Sequence, residues 1–238
     1  MYTLIDMKKN KFNPGIKVTI FFVFFSCVFF SLGLWQIERG QDKQSILDQF
    51  ENNTSKAPSV ISDKSQKWDR VRVKGTWQKE KQIFIDNVIN KGLAGYKVLT
   101  PLQIASSNQF ILVDRGWVPQ NKNRNIKPNI SIKNEEVVVT GLLENHELGF
   151  VLSDDLVYGD WPKISQTKNL GVINKAYEVD LVPYVLLAEP ILKDSLEYIK
   201  PVPTNMLPSK HYGYSAQWFT MLIALAAMYL WWGFKNEK

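Results

Sequence analysis

Two charge-free apolar runs stand at opposite ends of this chain, and they constrain its fold more than any other feature. Val18 to Trp35 reads VTIFFVFFSCVFFSLGLW, and Trp218 to Phe234 reads WFTMLIALAAMYLWWGF. A membrane-spanning helix takes about 20 mostly apolar residues, within a range of about 17–25. Both runs qualify, and Tyr214 to Gln217 can extend the second into the interface. A signal peptide is the alternative for the first run. It exceeds the ~7–15 residues of a usual apolar signal region, and QIERGQDK follows it in place of a small-residue cleavage site. Two retained anchors are therefore expected, with the segment between them held at one membrane face.

Charge predicts the orientation. Lys8, Lys9, Lys11 and Lys17 against Asp6 precede the first run, and Lys235 and Lys238 against Glu237 follow the second. Cations favour the cytoplasmic side, so both termini are expected to face in and the middle to be exported. Of 29 basic and 23 acidic residues in the chain, 23 basic and 21 acidic remain between the tails. That balance argues against nucleic acid as a partner. The one cysteine, Cys27, lies inside the first apolar run, so the exported segment has no disulfide, thiolate metal site or c-type haem attachment.

The helical pattern beyond the first anchor persists through SILDQF and breaks at ENNTSKAPS. Six β-rich runs follow: RVRVKGTW, KQIFIDNVI, GYKVLTPLQI, QFILVDRGWV, EVVVTGLLE and YVLLAE. Short, closely spaced strands predict an antiparallel sheet closing toward a barrel or sandwich. A pattern V-x-V-x-G-x-apolar occurs at Val71, Val73, Gly75, Trp77 and again at Val137, Val139, Gly141, Leu143. Glycine within a strand often marks the bulge or bend a barrel needs at its corners, although chance similarity of two strands is the alternative. PKISQTKNLGVINKAYE is the one expected helix in the exported segment, and the proline-rich IKPVPTNMLPSKH is an extended lead-in to the second anchor. The fold class is thus a membrane protein of the α+β type, two transmembrane helices flanking an antiparallel β-rich exported domain. Its expected divisions are a cytoplasmic tail (1–17), helix 1 (18–36), a periplasmic β-rich domain (37–210), helix 2 with its interfacial start (211–234) and a cytoplasmic tail (235–238).

Candidate chemistry gathers at the two helix ends. On a helix, His211, Tyr214, Ser215, Trp218 and Leu222 share one face. The imidazole can ligate a metal or haem iron with aromatics flanking a planar ligand, or the group is an aromatic belt at the lipid–water interface. At the exit of the first helix, Gln36, Arg39 and Lys43 align, with Trp35 four residues before Arg39. Arg39 and Lys43 either bind carboxylates, haem propionates among them, or are snorkelling anchors. Asp114 and Arg115, before a Gly116–Trp117 turn, either serve a ligand or satisfy that turn. His146 has no clustered partner and reads as a surface residue. No nucleophile triad, phosphate loop or zinc spacing is visible, and nothing in the pattern argues for an enzyme.

GLWQIERGQDK, VRVKGTW, GLAGYKVLTPL, ILVDRGWVP, VTGLL and HYGYSAQWF occur in that order between two membrane helices. Together they resemble the surfeit locus protein 1 family of cytochrome c oxidase assembly factors, over about residues 30–234. The resemblance implies a protein that assists maturation of the haem-copper oxidase, some bacterial members being associated with binding haem a and passing it toward subunit I. The family pattern Gly-x-Trp-Gln-x-x-Arg-x-x-x-Lys falls on Gly33, Trp35, Gln36, Arg39 and Lys43. Its histidine falls on His211, with Tyr214 and Trp218 in the matching pattern, and its Arg-Gly-Trp turn on Arg115, Gly116 and Trp117. Tyr212 and Asp114 depart from it, standing where many members carry a smaller aliphatic residue and an asparagine. The implied cofactor is haem a. The implied partners are oxidase subunit I, haem a synthesis or other assembly proteins, and membrane lipid. The tail before the first helix lacks an Arg/Ser-rich transit segment, which points to a bacterial inner membrane. Two functions of different classes stay open, a haem-handling chaperone and a scaffold that touches no cofactor. A tethered periplasmic sensor fits the topology alone.

Overall fold

The computed structural model describes residues 12–123, 126–132, 136–145, 156–177, 179–192 and 194–235. His146 lies outside them, as do Asp6, Lys8, Lys9, Lys11, Glu237 and Lys238 of the charge argument. In chain order the elements are α1 (Ile16–Ser55), β1 (Arg70–Trp77), β2 (Ile83–Asn90), β3 (Leu93–Ile104), β4 (Phe110–Pro119), β5 (Glu136–Glu144), β6 (Val157–Tyr158), β7 (Lys163–Ser165), α2 (Leu170–Asn174), β8 (Leu181–Ala188) and α3 (Pro208–Lys235). They fall into two compact units, Met1–Asp48 with Val202–Lys238, and Gln49–Pro201.

The first unit is a pair of antiparallel helices. Both are long and apolar enough to cross a membrane. Ile20, Phe21, Val23, Phe24 and Phe30 of α1, and Ile223, Met228, Leu230 and Trp231 of α3, are exposed. Such outward apolar surface is stable against hydrocarbon, not water. The helices meet along an aromatic seam: Phe22 stacks on Tyr229 with ring centroids 4.1 Å apart, and Phe29 packs against Trp218 at 5.8 Å. Pro208 opens α3, where its fixed φ suits the first helical turn and its missing N–H leaves no bond unmade. The helix therefore begins three residues before His211.

The second unit is β-rich. Among the described residues eight strands run β1-β5-β8-β4-β3-β2-β7-β6, and a further β1–β3 pairing closes β1, β5, β8, β4 and β3 into a five-stranded ring. Most neighbours are antiparallel, while β4–β8 and β2–β7 are parallel. β2 and β3 join through Lys91 and Gly92, both at positive φ between the paired Asn90 and Leu93, a two-residue turn whose twist suits a hairpin.

Alternation decides what fills the ring. Val71, Val73 and Trp77, Leu102 and Ile104, Ile111 and Val113, Val139 and Leu143, and Leu186 and Ala188 belong to one core cluster, drawn from all five strands of the ring. The intervening Leu99, Leu112, Leu142, Val185 and Leu187 belong to a second cluster with Ile83, Ile85, Phe50, Trp68 and the residues of α2. Strand β4 is thus buried on both faces, which is why FILV is apolar without interruption. Each fully buried Val or Leu contributes about 1.5–3 kcal/mol relative to exposure.

The helix expected over residues 162–178 is largely absent. Lys163–Ser165 pairs in parallel with β2, and among the described residues of this stretch only Leu170–Asn174 is helical. The Ser165 hydroxyl donates to the Thr167 carbonyl, and the Asn169 side chain accepts from the Val172 N–H as the cap of α2. Ser, Thr and Asn side chains here compete with helix for the backbone.

Candidate functional site at the helix pair

Gly33, Gln36 and Gly40 lie on one face of α1, three and four residues apart, and the N-terminal turns of α3 pack on them. A Cβ at Gly33 would come within 2.7 Å of the Phe219 ring, and one at Gly40 within 2.5 Å of the Tyr212 ring. The missing side chains leave room for these two rings against α1. The Ser215 hydroxyl donates to the Gly33 carbonyl at 2.9 Å, a buried bond between the helices. One turn earlier on α3, His211 Nδ1 lies 2.8 Å from Gln36 Oε1. His211 Nε2 is buried and has no hydrogen-bond partner.

The remaining candidates lie to one side of this seam. At about 100° per residue, Trp35, Arg39 and Lys43 trail Gln36 in one rotational sense, and Tyr214 and Trp218 trail His211 likewise. Because the helices are antiparallel, those offsets fall on the same flank. Gly33 with Phe219 and Gly40 with Tyr212 mark the opposite flank. Trp35 and Tyr214 are exposed, and Trp218 is half-buried against Phe29. The Arg39 guanidinium sits 5.9 Å from the Trp35 ring centroid and 3.4 Å from Asp42, in an open pair worth little by itself. Lys43 is half-buried. Along the flank the order is Trp218, then Tyr214 and Trp35, then His211 with Gln36, then Arg39 and Lys43: aromatic walls, a nitrogen ligand, cations.

The Asp114–Trp117 stretch belongs to the β-rich unit and is packed into it, although Arg115 Nε is buried there without a hydrogen-bond partner. It is no free-standing turn. Strand β4 continues through it, with a register slip against β3 between the pairs Lys97↔Trp117 and Leu99↔Asp114, a bulge at Arg115 and Gly116. Gly116 has φ +116, and a Cβ there would meet the Glu197 carbonyl oxygen at 2.7 Å. Asp114 accepts from Lys97 Nζ at 2.6 Å and from the Gly116 N–H. Arg115 is buried, donating to the Asp194 carbonyl at 2.6 Å and to Gln82 Oε1 at 3.3 Å, and desolvation lowers its pKa. Trp117 donates to the Val88 carbonyl at 2.8 Å. The Gln82 and Asp194 partners were invisible in the sequence, lying 33 and 79 residues from Arg115.

With this geometry in hand, known proteins place the chain. A family model described as the SURF1 family matches residues 23–223, most of the chain. The chain belongs to the SURF1 family. A SURF1-like protein of Rickettsia conorii is 25% identical to this SURF1-family chain over 222 residues, covering 89% of it and 90% of the relative. One of Rickettsia prowazekii is 24% identical over 209 residues, covering 84% and 83%. Surfeit locus protein 1 of Takifugu rubripes is 24% identical over 235 residues, covering 85% and 90%. The matched region takes in Gln36 and His211 together with both helical flanks.

Proposed function

We propose that this chain is a membrane-held assembly factor for haem-copper cytochrome c oxidase, and that its helix pair takes up haem a for delivery to subunit I. The observation that carries this reading is His211 Nε2, a buried nitrogen without a partner beside a flank of aromatics and cations. A buried polar atom left unpaired costs about 1–3 kcal/mol, and iron ligation would supply what it lacks. The residues present fit the group.

Haem a, when bound, supplies a planar macrocycle, an iron centre and two propionates. His211 would give its Nε2 electron pair to the iron. Nε2 is covered in this conformation, so ligation requires the side chains over it to swing aside. Tyr214, Trp218 and Trp35 would flank the ring, and Arg39 and Lys43 would pair with the propionates near the membrane surface. The protein acts by binding and release in this reading, with no bond made or broken in a substrate. The positive tails support cytoplasmic termini and a β-rich unit in the periplasm of a bacterial inner membrane. Oxidase subunit I, haem a synthesis proteins and other assembly factors are its partners.

A scaffold reading has its own support in the β-rich unit. Val60 and Val138 are exposed there, beside a groove of about 420 Å³ that Ile61 and Arg72 also line. Holding a subunit on that face is compatible with haem handling at the helices.

The test is the absorbance spectrum of the purified chain co-produced with haem a synthesis enzymes, wild type beside His211→Ala. A reduced a-type band in the wild type that His211→Ala abolishes, with both proteins folded and membrane-inserted, is the expected result. No band in either moves the function to scaffolding, and a full band in His211→Ala overturns the ligand assignment.

A further inference from the structure

His211 and Gln36 fix more than the distance between two helices. A carbonyl oxygen can only accept, so a bond between Gln36 Oε1 and His211 Nδ1 requires the proton on Nδ1. A neutral imidazole with its proton on Nδ1 has a bare electron pair on Nε2. The opposite tautomer would set the Nδ1 electron pair against Oε1 at 2.8 Å unless the Gln36 amide turned over to present its NH2, and even then it would bury an N–H at Nε2, where no acceptor stands. The imidazolium would bury an unpaired N–H and a charge at Nε2, where no acceptor stands.

We infer that Gln36 is a positioning residue that holds His211 as the Nδ1–H tautomer, leaving Nε2 as the electron-pair donor to an incoming metal centre. As a metal ligand this role rests on the haem reading above; as a tautomer assignment it stands without it. The arrangement is built from several residues. Gly33 and Gly40, on either side of Gln36, leave the space in which the Phe219 and Tyr212 rings of α3 lie against α1, and between them the Gln36 amide reaches the imidazole. The Ser215–Gly33 bond, one turn further along α3, fixes the axial register. Elsewhere in proteins, ligating histidines donate their second ring N–H to a neighbouring acceptor, which orients the ring and raises its basicity. Here that neighbour lies on the other helix, so the state of the ligand depends on the two helices staying together.

The test reads the tautomer directly. The full chain, labelled with ¹⁵N-histidine and reconstituted in lipid nanodiscs at about pH 8, where an unperturbed ring is neutral, gives long-range proton–nitrogen correlations. His211→Ala identifies the His211 signals. The wild type is expected to carry its proton on Nδ1, Gln36→Leu to shift toward Nε2–H, and Gln36→Glu, which keeps an acceptor, to stay Nδ1–H. Haem titration of the same proteins is expected to show about 10-fold or greater weakening in Gln36→Leu and recovery in Gln36→Glu. A wild-type Nε2–H ring, or a tautomer unmoved by Gln36→Leu, overturns the inference. Unchanged haem affinity in Gln36→Leu overturns the positioning role. A wild type with the expected tautomer but no haem overturns the haem reading alone.

Discussion

Gly141 of β5 stands directly opposite Val71 of β1, and four residues along the same pair Gly75 of β1 stands opposite Val137 of β5. The two copies of the V-x-V-x-G pattern are antiparallel partners, each glycine facing the first valine of the other copy. Each glycine also marks where a third strand arrives, β3 beside Gly75 and β8 beside Gly141. A Cβ at Gly75 would lie 2.1 Å from the Gln103 carbonyl oxygen, and one at Gly141 would lie 2.2 Å from that of Leu187. These are the corners at which the five-stranded ring closes.

Gly75→Ala and Gly141→Ala are each expected to destabilise the β-rich unit by about 2–4 kcal/mol, because backbone and not a movable side chain occupies the space. Thermal unfolding followed by circular dichroism in detergent checks this. A loss no larger than a surface substitution's would remove the corner role.

Arg115→Met is expected to cost about 2–4 kcal/mol, since it removes the guanidinium donor from the Asp194 carbonyl and one of the two donors to buried Gln82 Oε1, leaving that oxygen only the Thr100 hydroxyl at 3.4 Å. Arg115→Lys should recover little, because one ammonium cannot reproduce a fork that reaches both acceptors. The same unfolding measurement decides, and full recovery by lysine would show that charge alone matters there.

Glycine tolerance should differ sharply between the two helices. Gly40→Val is expected to weaken the helix pair by about 1–2 kcal/mol through collision with Tyr212. Gly213→Ala, with nothing within 4 Å of its Cβ, should be neutral or stabilise by about 0.5–1 kcal/mol. Unfolding of the helix pair in mixed micelles distinguishes them, and equal effects would argue against the seam.

Burial holds the Glu144 carboxyl above its ordinary value, against the opposing pull of Lys67 Nζ at 2.7 Å. The folded chain therefore binds this proton more tightly than the unfolded chain. Stability from this group is greatest below the unfolded pKa and falls as pH rises through the folded one. Glu144→Gln is expected to be neutral or stabilising at about pH 7 and to lose that advantage at about pH 4 and below. Denaturation at the two pH values checks the sign, and a variant less stable at pH 7 than at pH 4, relative to wild type, would reverse it.

The sequence by itself determined the two long helices and the main strands. Val18–Trp35 and Trp218–Phe234 lie within the two long helices, since a charge-free run of that length has one stable backbone state in hydrocarbon. RVRVKGTW and EVVVTGLLE coincide with β1 and β5 because their period-2 alternation suits a half-buried pleat. It also named Gln36, Arg39, Lys43, His211, Tyr214 and Trp218, each from helical spacing on its own segment. Tertiary structure alone decided what these residues meet. That His211 faces Gln36 depends on contacts 175 residues apart, made through glycines whose seven-residue spacing was the one available signal. The ring closure through β1–β3, the parallel β4–β8 pair and the Gln82–Arg115 bond were equally out of reach, because local periodicity fixes a strand's faces and not its neighbours. The helix expected over 162–178 shrinks to α2 for the complementary reason: Ser165 and Thr167 side chains bond the local backbone, and helix begins only after the Asn169 cap.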